Sequence, residues 1–574
     1  MIKDELTTAI LAALKSAQQA GELPETDLPE VVWEMPRNPE HGDWATNIAM
    51  TLSKALNVSP RDAATVILAH LDTTGPLIAS ARVAGPGFIN LVLSPEWLSR
   101  VIREIRSADT SYGTSNLHAG QKVLVEFVST NPNGPITVAG GRNAAIGDAL
   151  SALLQATGYD VTREYYINDA LNSSQMINFG RSVFHRYRQL LGHQEGALDE
   201  SGEEPDWLYR GDYITDIARE IIAAHGSEFE DASADDPLTV QKFRELSQGG
   251  MLAQQKADLA AFGVEFDNWF SEATLHGAGR VKDAIDLLTE RGFTYEKDGA
   301  LWFRSTACGD DKDRVLVRAN GTATYIAGDA AYHKDKLDRG FDRAVDVWGA
   351  DHAGYVARTK AVIEALGYDP ARLDILLYQL VRIMKDGELV KSSKRRGDVL
   401  ELKADLIDEI GKDAARFFYL MRSPNSELDI DIELAKKTER DNPVYYVQYA
   451  HARIVQTLEK GSEVDPEWKT KSAAADLALL KQDAEVQLIK KLSEYPEDVA
   501  FAAREYAPQH IIQYSRDLAS LFHQFYDNGK RNPEFRIVAD DLATRTARLA
   551  LADAARITLR NALNLLGVSA PDRM

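Results

Sequence analysis

The chain has 574 residues, 44% of them apolar, and a formal net charge of -22. That length supports several hydrophobic cores, so three or four domains are expected. The acidic field excludes indiscriminate binding to nucleic acid while allowing a local basic surface. A single cysteine, Cys308, excludes an intrachain disulfide and a cysteine-rich zinc cluster. No apolar run is long enough to span a bilayer, and the acidic, amphipathic N-terminus does not read as a signal peptide. A cytoplasmic protein with no membrane partner is expected.

Residues 1–118 read as a first, α+β domain. Helical patterns run near Leu6 to Ala20, Trp44 to Leu56 and Pro60 to Leu71. A strand, Val83 to Leu93, follows a Gly-Pro-Gly turn, and a helix near Pro95 to Ala108 closes the domain. Turn residues in SADTSYGTSNLHAG mark the boundary.

Residues 119–403 read as an α/β domain with a Rossmann-like parallel sheet. It opens on VLVEFVSTNPNGPITVAGGRNAAIGDAL, Val123 to Leu150: an apolar strand, a turn rich in Gly, Pro and Asn, then an amphipathic helix. The first turn of such a helix offers unpaired N–H groups to an anion, and Gly140 and Gly141 would let a ligand approach. An ordinary strand-to-helix turn has the same local pattern. Glu126, within the apolar strand, and Asn131 point toward the mouth of the turn; a buried carboxylate needs a partner, which a cationic ligand would supply.

REYYIND, Arg163 to Asp169, is strand-like, and a polar, mostly helical insertion follows over about 172–290, with acidic surface loops between Gln194 and Asp236. The strand and helix rhythm resumes near Ala300. The strand Ala344 to Trp348 runs into a turn with Gly349, Asp351 and His352, and Asp374 to Met384 supplies one more strand. Ligands of a parallel sheet sit beyond the carboxyl ends of its strands, where Glu126, Asn131, Asp351 and His352 would gather. KDGELVKSSKRRGDVLEL then places Lys391, Lys394, Arg395 and Arg396 on a short loop. It is either a solvated surface loop or a mobile one whose cations stabilise a transferring polyphosphate.

Residues 404–574 read as almost entirely helical. DNPVYYVQYAHARI starts a helix at Asn-Pro and sets Tyr445, Tyr446, Gln448, Tyr449, His451 and Arg453 along it. Such a stripe serves either as core or as a stacking surface for unpaired bases. Tyr514, His523, Phe525, Tyr526, Lys530 and Arg531 extend it.

These pieces together resemble the arginyl-tRNA synthetases, a class I aminoacyl-tRNA synthetase family, from the first domain to Met574. NPEHGDWATNIA, from Asn38, and VAGPGFIN, with Phe88 and Asn90, resemble the family's N-terminal tRNA-binding domain. VEFVSTNPNGP, REYYIND, YIAGDAAYHKDK and VWGADHAGYVARTKA resemble its catalytic domain. NPVYYVQYAHARI and the terminal LLGVSAPDRM resemble its helical anticodon-binding domain. The resemblance implies ATP-dependent formation of arginyl-adenylate and transfer of arginine to the terminal ribose of its tRNA. It also implies a monomer, magnesium carried with ATP, and no protein-bound zinc. Glu126, Asn131, Tyr325 and Asp329 correspond to arginine-binding positions. Thr137, Gly140, Gly141, Arg142, Gly349, Asp351, His352 and Ser393 would serve ATP. Asn38, Phe88, Asn90, Tyr445, Gln448, Tyr449, Arg453, Tyr526 and Met574 would serve tRNA. A planar cation suits a carboxylate beside an aromatic ring, and Tyr325 and Asp329 lie four apart on one helix face.

The first class I signature, His-x-Gly-His, falls on Thr137, Val138, Ala139 and Gly140, so both histidines are absent. Loss of such donors costs on the order of 3 kcal/mol in the transition state if nothing compensates. The second signature, Lys-Met-Ser-Lys-Ser, falls on Lys391, Ser392, Ser393, Lys394 and Arg395 and keeps its lysines. Lys391, Lys394 and Arg395 are therefore expected to carry the phosphate stabilisation, helped by Arg142. The alternatives are a catalytically silent tRNA-binding protein and a paralogue that passes arginine to a non-tRNA acceptor.

Overall fold

The computed structural model describes residues 2–34, 36, 39–169, 174–193, 208–233, 236–390 and 400–574. Its centre is a five-stranded parallel sheet. Across the sheet the strands run Leu373–Tyr378, Arg343–Gly349, Lys122–Glu126, Asp160–Ile167 and Asn268–Ser271. Val123, Leu124 and Val125 in the middle strand are fully buried, as expected where both faces of a sheet are covered. The helix Val138–Ala156 returns along this strand, and Gly147 allows the approach: a Cβ there would lie 2.1 Å from the Phe127 ring.

Three helices of the insertion, Ser174–Leu190, Asp212–His225 and Pro237–Ala261, enclose their own core around Phe179, Tyr187 and Phe243. The sheet resumes earlier than the periodicity implies, because Asn268–Ser271 pairs with Glu164 to Ile167 as its edge strand. A separate antiparallel sheet, Thr294–Lys297, Ala300–Phe303 and Arg314–Val317, precedes the helix Tyr325–Asp338.

Three stretches divide where their pattern reads as continuous. Trp44–Thr46 is a strand paired with Ile89 to Leu91, and its helix begins only at Ile48. The Gly-Pro-Gly turn joins two strands, Ile78–Ala84 and Phe88–Leu93, in a four-stranded antiparallel sheet; at Gly87, φ is 140° and a Cβ would lie 2.8 Å from Pro60. Asp374 to Met384 likewise splits. Leu373–Tyr378 stays in the central sheet, and Val381–Lys385 joins a small sheet with Glu388–Leu389 and Leu428–Asp431.

Four long helices, Pro443–Val464, Asp483–Arg504, Gln509–Arg531 and Leu542–Leu565, form the C-terminal bundle. The Asn-Pro signal is a true cap: the Asn442 side chain accepts the Val444 N–H. The helix Pro95–Ala108 packs onto this bundle, fastened by Arg106 to Asp553 at 3.1 Å, while Arg560 reaches Asp109 at 2.6 Å. Among the described residues, no helix is long and apolar enough to cross a membrane.

His523 lies 4% exposed between Tyr446, Tyr449 and Arg453, and its pKa is lowered to about 4, first by burial and then by the Arg453 charge. An unfolded histidine takes up its proton near pH 6.5, whereas the folded one resists until about 4, so stability is lost as pH falls through this window. Between pH 7 and pH 5 the wild type should lose about 2 kcal/mol that a His523→Gln variant does not. Urea unfolding of both proteins at the two pH values checks this.

Candidate active site

Three acidic side chains stand in register on three adjacent strands near their carboxyl ends. Asp346 pairs with Glu126, and Glu126 with Glu164. All three are buried. A row of this kind demands cations, and one helix supplies them. From Tyr325–Asp338 and its C-cap Arg339, helical spacing turns Tyr332, His333, Lys336 and Arg339 onto the row. Lys336 reaches Asp346 at 2.8 Å and also bonds Glu126. Arg339 grips Glu164 with two nitrogens at 2.6 and 2.9 Å, and the Tyr332 hydroxyl donates to the same carboxylate at 2.7 Å. His333 meets Asp346 with one ring nitrogen and the Asp329 carbonyl with the other, at 3.0 and 2.8 Å.

The charges respond accordingly. Burial works against the charge of Asp346, but Lys336 and His333 outweigh it and hold its pKa below the ordinary value. Burial likewise opposes ionisation of Glu164, and the Arg339 pair reverses the balance. In Glu126 burial prevails over Lys336, with Asp346 adding to it, and the pKa is raised. The protein thus already supplies a cationic partner for Glu126. The expectation that a ligand alone would do so is corrected: the strand's acid is paired from within by Lys336.

Asp329 differs from these. It lies on the same helix, nearer the start, and among the described residues its carboxylate has no hydrogen-bond or ion-pair partner; burial pushes its pKa up. Tyr325 opens the helix with its ring 75% exposed. On the strand Asp160–Ile167, Tyr166 packs tilted against Tyr332 with ring centroids 4.3 Å apart, its phenol pushed up by burial and by Glu272, Asp329, Glu126 and Asp169. Asp169 is held by the Ser271 hydroxyl and the Ala273 N–H at 2.6 and 2.8 Å. The result is an acidic, aromatic-walled cleft suited to an organic cation.

The turn after Glu126 is strained. Val128 and Ser129 have φ of 68° and 44°, unusual for non-glycine residues and most of all for a β-branched one. Asn143 holds this conformation by accepting the Val128 N–H at 2.9 Å and donating to the Val347 carbonyl at 3.0 Å. The twist returns the Ser129 hydroxyl to Glu126, to which it donates at 2.9 Å. Asn131 bonds Gln175 at 2.8 Å, and buried Gln255 of the insertion donates to the carbonyls of Asn131 and Gly134 at 3.1 and 2.8 Å. The insertion therefore sets the shape of the turn.

At the helix start, Thr137 is the N-cap and accepts the Gly140 N–H at 3.1 Å. Two expectations here are corrected. Gly141 gives room to protein, not ligand: a Cβ would lie 2.4 Å from Leu402 and 2.8 Å from the Tyr419 hydroxyl. Arg142 is not available to phosphate. Its guanidinium is fully buried and donates to the carbonyls of Gln379, Ser426 and Ser423 at 2.8, 2.8 and 3.0 Å, and burial lowers its pKa to about 10.

Gly349 ends its strand at the same edge of the sheet, with Asp351 and His352 exposed just beyond it. Lys391, Ser393, Lys394 and Arg395 lie outside the described residues, as does Asn38. The chain on the far side of that loop is anchored at the helix start: the Leu402 N–H donates to Ile136 and the Val138 N–H to Leu400, at 2.8 and 2.9 Å.

Comparison with known proteins accords with this layout. An arginyl-tRNA synthetase N-terminal domain matches residues 4–93, a class I (R) tRNA synthetase catalytic domain residues 102–421, and a DALR anticodon-binding domain residues 447–574. The chain belongs to the arginyl-tRNA synthetase family. The arginine–tRNA ligase of Desulfitobacterium hafniense is 45% identical over 573 residues, covering 100% of this chain and 99% of that protein. That of Moorella thermoacetica is 46% identical over 576 residues, with the same coverage. The Thermus thermophilus arginyl-tRNA synthetase structure has a TM-score of 0.74 over 100% of both chains at 21% identity, a likeness of fold.

In this arginyl-tRNA synthetase the residues expected to meet tRNA divide by exposure. Tyr445 and Tyr449 are half-buried and stacked with ring centroids 5.7 Å apart, Phe88 and Tyr526 are half-buried, and Met574 is exposed. Gln448 and Arg453 are corrected to structural roles. Gln448 is buried and donates to Asp413 and to the Ser569 carbonyl, both at 2.9 Å, pinning the C-terminal tail. Arg453 is buried between the rings of Tyr449 and Tyr526, at 4.4 and 4.8 Å, and donates to the Tyr449 hydroxyl at 2.6 Å. Asn90 is also buried, donating to the His41 carbonyl at 2.7 Å, and among the described residues its side-chain oxygen has no partner.

The corrected place of Arg142 is open to test. Arg142→Met leaves three carbonyls without a donor and should lower stability by on the order of 3 kcal/mol. A phosphate-binding role would instead slow turnover without moving the melting temperature; thermal unfolding alongside steady-state kinetics separates the two.

Proposed function

We propose that the chain is an arginine–tRNA ligase. It joins L-arginine to ATP, supplied as its magnesium complex, to form arginyl-adenylate and pyrophosphate, and then passes the arginyl group to the 3′-terminal ribose of tRNA for arginine. The observation that carries this reading is the Asp329 carboxylate. It stands without a partner among the described residues, in an acidic cleft beyond the carboxyl ends of a parallel sheet, on a helix whose His333 and Lys336, and the C-cap Arg339, are engaged further along. A guanidinium placed there would make a two-pronged, charge-assisted contact.

In this reading Tyr325 covers the guanidinium, and Glu126 and Asn131 face the ammonium end of the substrate, with Glu126 keeping its bond to Lys336. The arginine carboxylate attacks the α-phosphorus of ATP, the bond to the β-phosphate breaks, and pyrophosphate departs with its charge met by Lys391, Lys394 and Arg395. Thr137 still has a hydroxyl proton to donate, since its oxygen alone is used in capping. Gly140, Gly349, Asp351, His352 and Ser393 line the nucleotide. In the second step a terminal ribose hydroxyl attacks the adenylate carbonyl and AMP leaves. Asn38, Phe88, Asn90, Tyr445, Tyr449, Tyr526 and Met574 belong to the domains that hold the tRNA. The chain works as a cytoplasmic monomer.

Charging of total tRNA with each of the twenty amino acids tests the reading, and arginine alone should be accepted. Pyrophosphate exchange in Lys394→Ala should fall well below wild type; equal rates would remove the loop from the mechanism. Asp329→Asn separates binding from folding. It should weaken arginine binding by about 2 kcal/mol or more while the protein melts at or above the wild-type temperature, because a half-buried charge with no partner among the described residues has been removed. A fall in melting temperature would give Asp329 a structural partner instead.

A further inference from the structure

We propose that Lys336 is a positioning residue for arginine recognition: by bridging Glu126 and Asp346 it fixes both the acid that faces the substrate and the helix that carries Asp329. The proposal rests on the arginine-binding reading of the cleft and deepens it. Lys336 is fully buried, its ammonium bonds one oxygen of Glu126 and, at 2.8 Å, one of Asp346, and it lies over the Tyr332 ring at 4.3 Å. The two acids it joins are direct cross-strand partners. Side by side and dry, with no cation between them, they could not both stay ionised, and one would take a proton.

The geometry sets which function would suffer. Glu126 has its other oxygen on Ser129, in the strained turn at the mouth of the cleft. Asp329, Tyr332 or His333, and Lys336 follow one another at helical spacing on one stripe of Tyr325–Asp338, so the Lys336 anchor sets the height at which Asp329 stands above the sheet. Lys336 is thus bonded to Glu126 and carried on the same helix as Asp329, the two acids assigned to the substrate, and bonds none of Thr137, Gly140, Gly349 or His352 assigned to ATP. A general loss of packing would instead affect both substrates.

Lys336→Met and Lys336→Gln in the full chain test this, the second keeping a hydrogen-bond donor without charge. In aminoacylation with tRNA for arginine, KM for arginine should rise about tenfold or more while KM for ATP stays within about twofold. An unchanged KM for arginine in either folded variant would overturn the proposal, as would a parallel rise in both KM values. If neither variant folds, Lys336 is a stability residue and the proposal fails. Wild-type protein that charges tRNA with an amino acid other than arginine would overturn the reading of the cleft itself, and the proposal with it.

Discussion

Three carboxylates set shoulder to shoulder across a dry sheet form the constraint on which the rest of the molecule depends. Isolated in the interior, each would carry a desolvation penalty of several kcal/mol. Asp346, Glu126 and Glu164 are tolerated because Lys336, Arg339, His333 and Tyr332 arrive together from a single helix and meet them at hydrogen-bond distance. This makes the position of that helix a consequence of charge pairing. Its first turns stand free of the row, and there Asp329 is left without a partner among the described residues. The sheet saturates one end of the helix and thereby leaves an unmet charge at the other.

The same principle, a buried cation answered by fixed oxygens, joins the modules to each other. Arg142 ties the first turn of Val138–Ala156 to the carbonyls of Gln379, Ser423 and Ser426. Arg416 donates to the Leu566 carbonyl at 2.9 Å, to the Phe262 carbonyl at 3.3 Å and to Asp148 at 2.5 Å, touching the C-terminal tail, the end of the insertion and the catalytic helix at once. Arg453 and Gln448 repeat the arrangement inside the bundle. Arg142, Gln448 and Arg453, which look like ligand binders in a linear reading, are instead joints of the scaffold, and Arg416 is a fourth joint of the same kind.

What could be read without coordinates follows from this division. The apolar run at Val123, the helix that follows it and the Asn-Pro helix start are local signals and stand in the structure where periodicity places them. The spacing of Tyr325 and Asp329 is equally local. Cross-strand pairing is not: Trp44–Thr46 leaves a helical pattern for a strand because Ile89 to Leu91 pairs with it, and Asp374 to Met384 divides between two sheets that no window of sequence distinguishes. The partners of Arg142 and Arg416 are largely backbone carbonyls, which every residue carries, so no residue type marks them. Lys336 and Arg339 had a usable sign. YHKDKLDR places Tyr332, His333, Lys336 and Arg339 at offsets of one, four and seven, and acids recur in three apolar strands; only the strand order shows that they meet.

The strained turn and the displaced first signature belong to one argument. Without the signature histidines, the helix start offers the Thr137 hydroxyl while the Val138, Gly140 and Gly141 N–H groups donate to Leu400 and Thr137, and it must be held rigidly for so few donors to be useful. The structure holds it from four directions. Asn143 fixes the Val128 amide, Gln255 the carbonyls of Asn131 and Gly134, Arg142 the first turn from below, and the segment at Leu400 and Leu402 the backbone on either side of Thr137. The last of these follows closely after the second signature in sequence, so the backbone that the histidines would have flanked is bonded to the chain that resumes there. Fixing the Thr137 hydroxyl in this way limits the reorganisation it would need to meet a developing charge, which is where a donor is worth most once the histidines at Thr137 and Gly140 are absent.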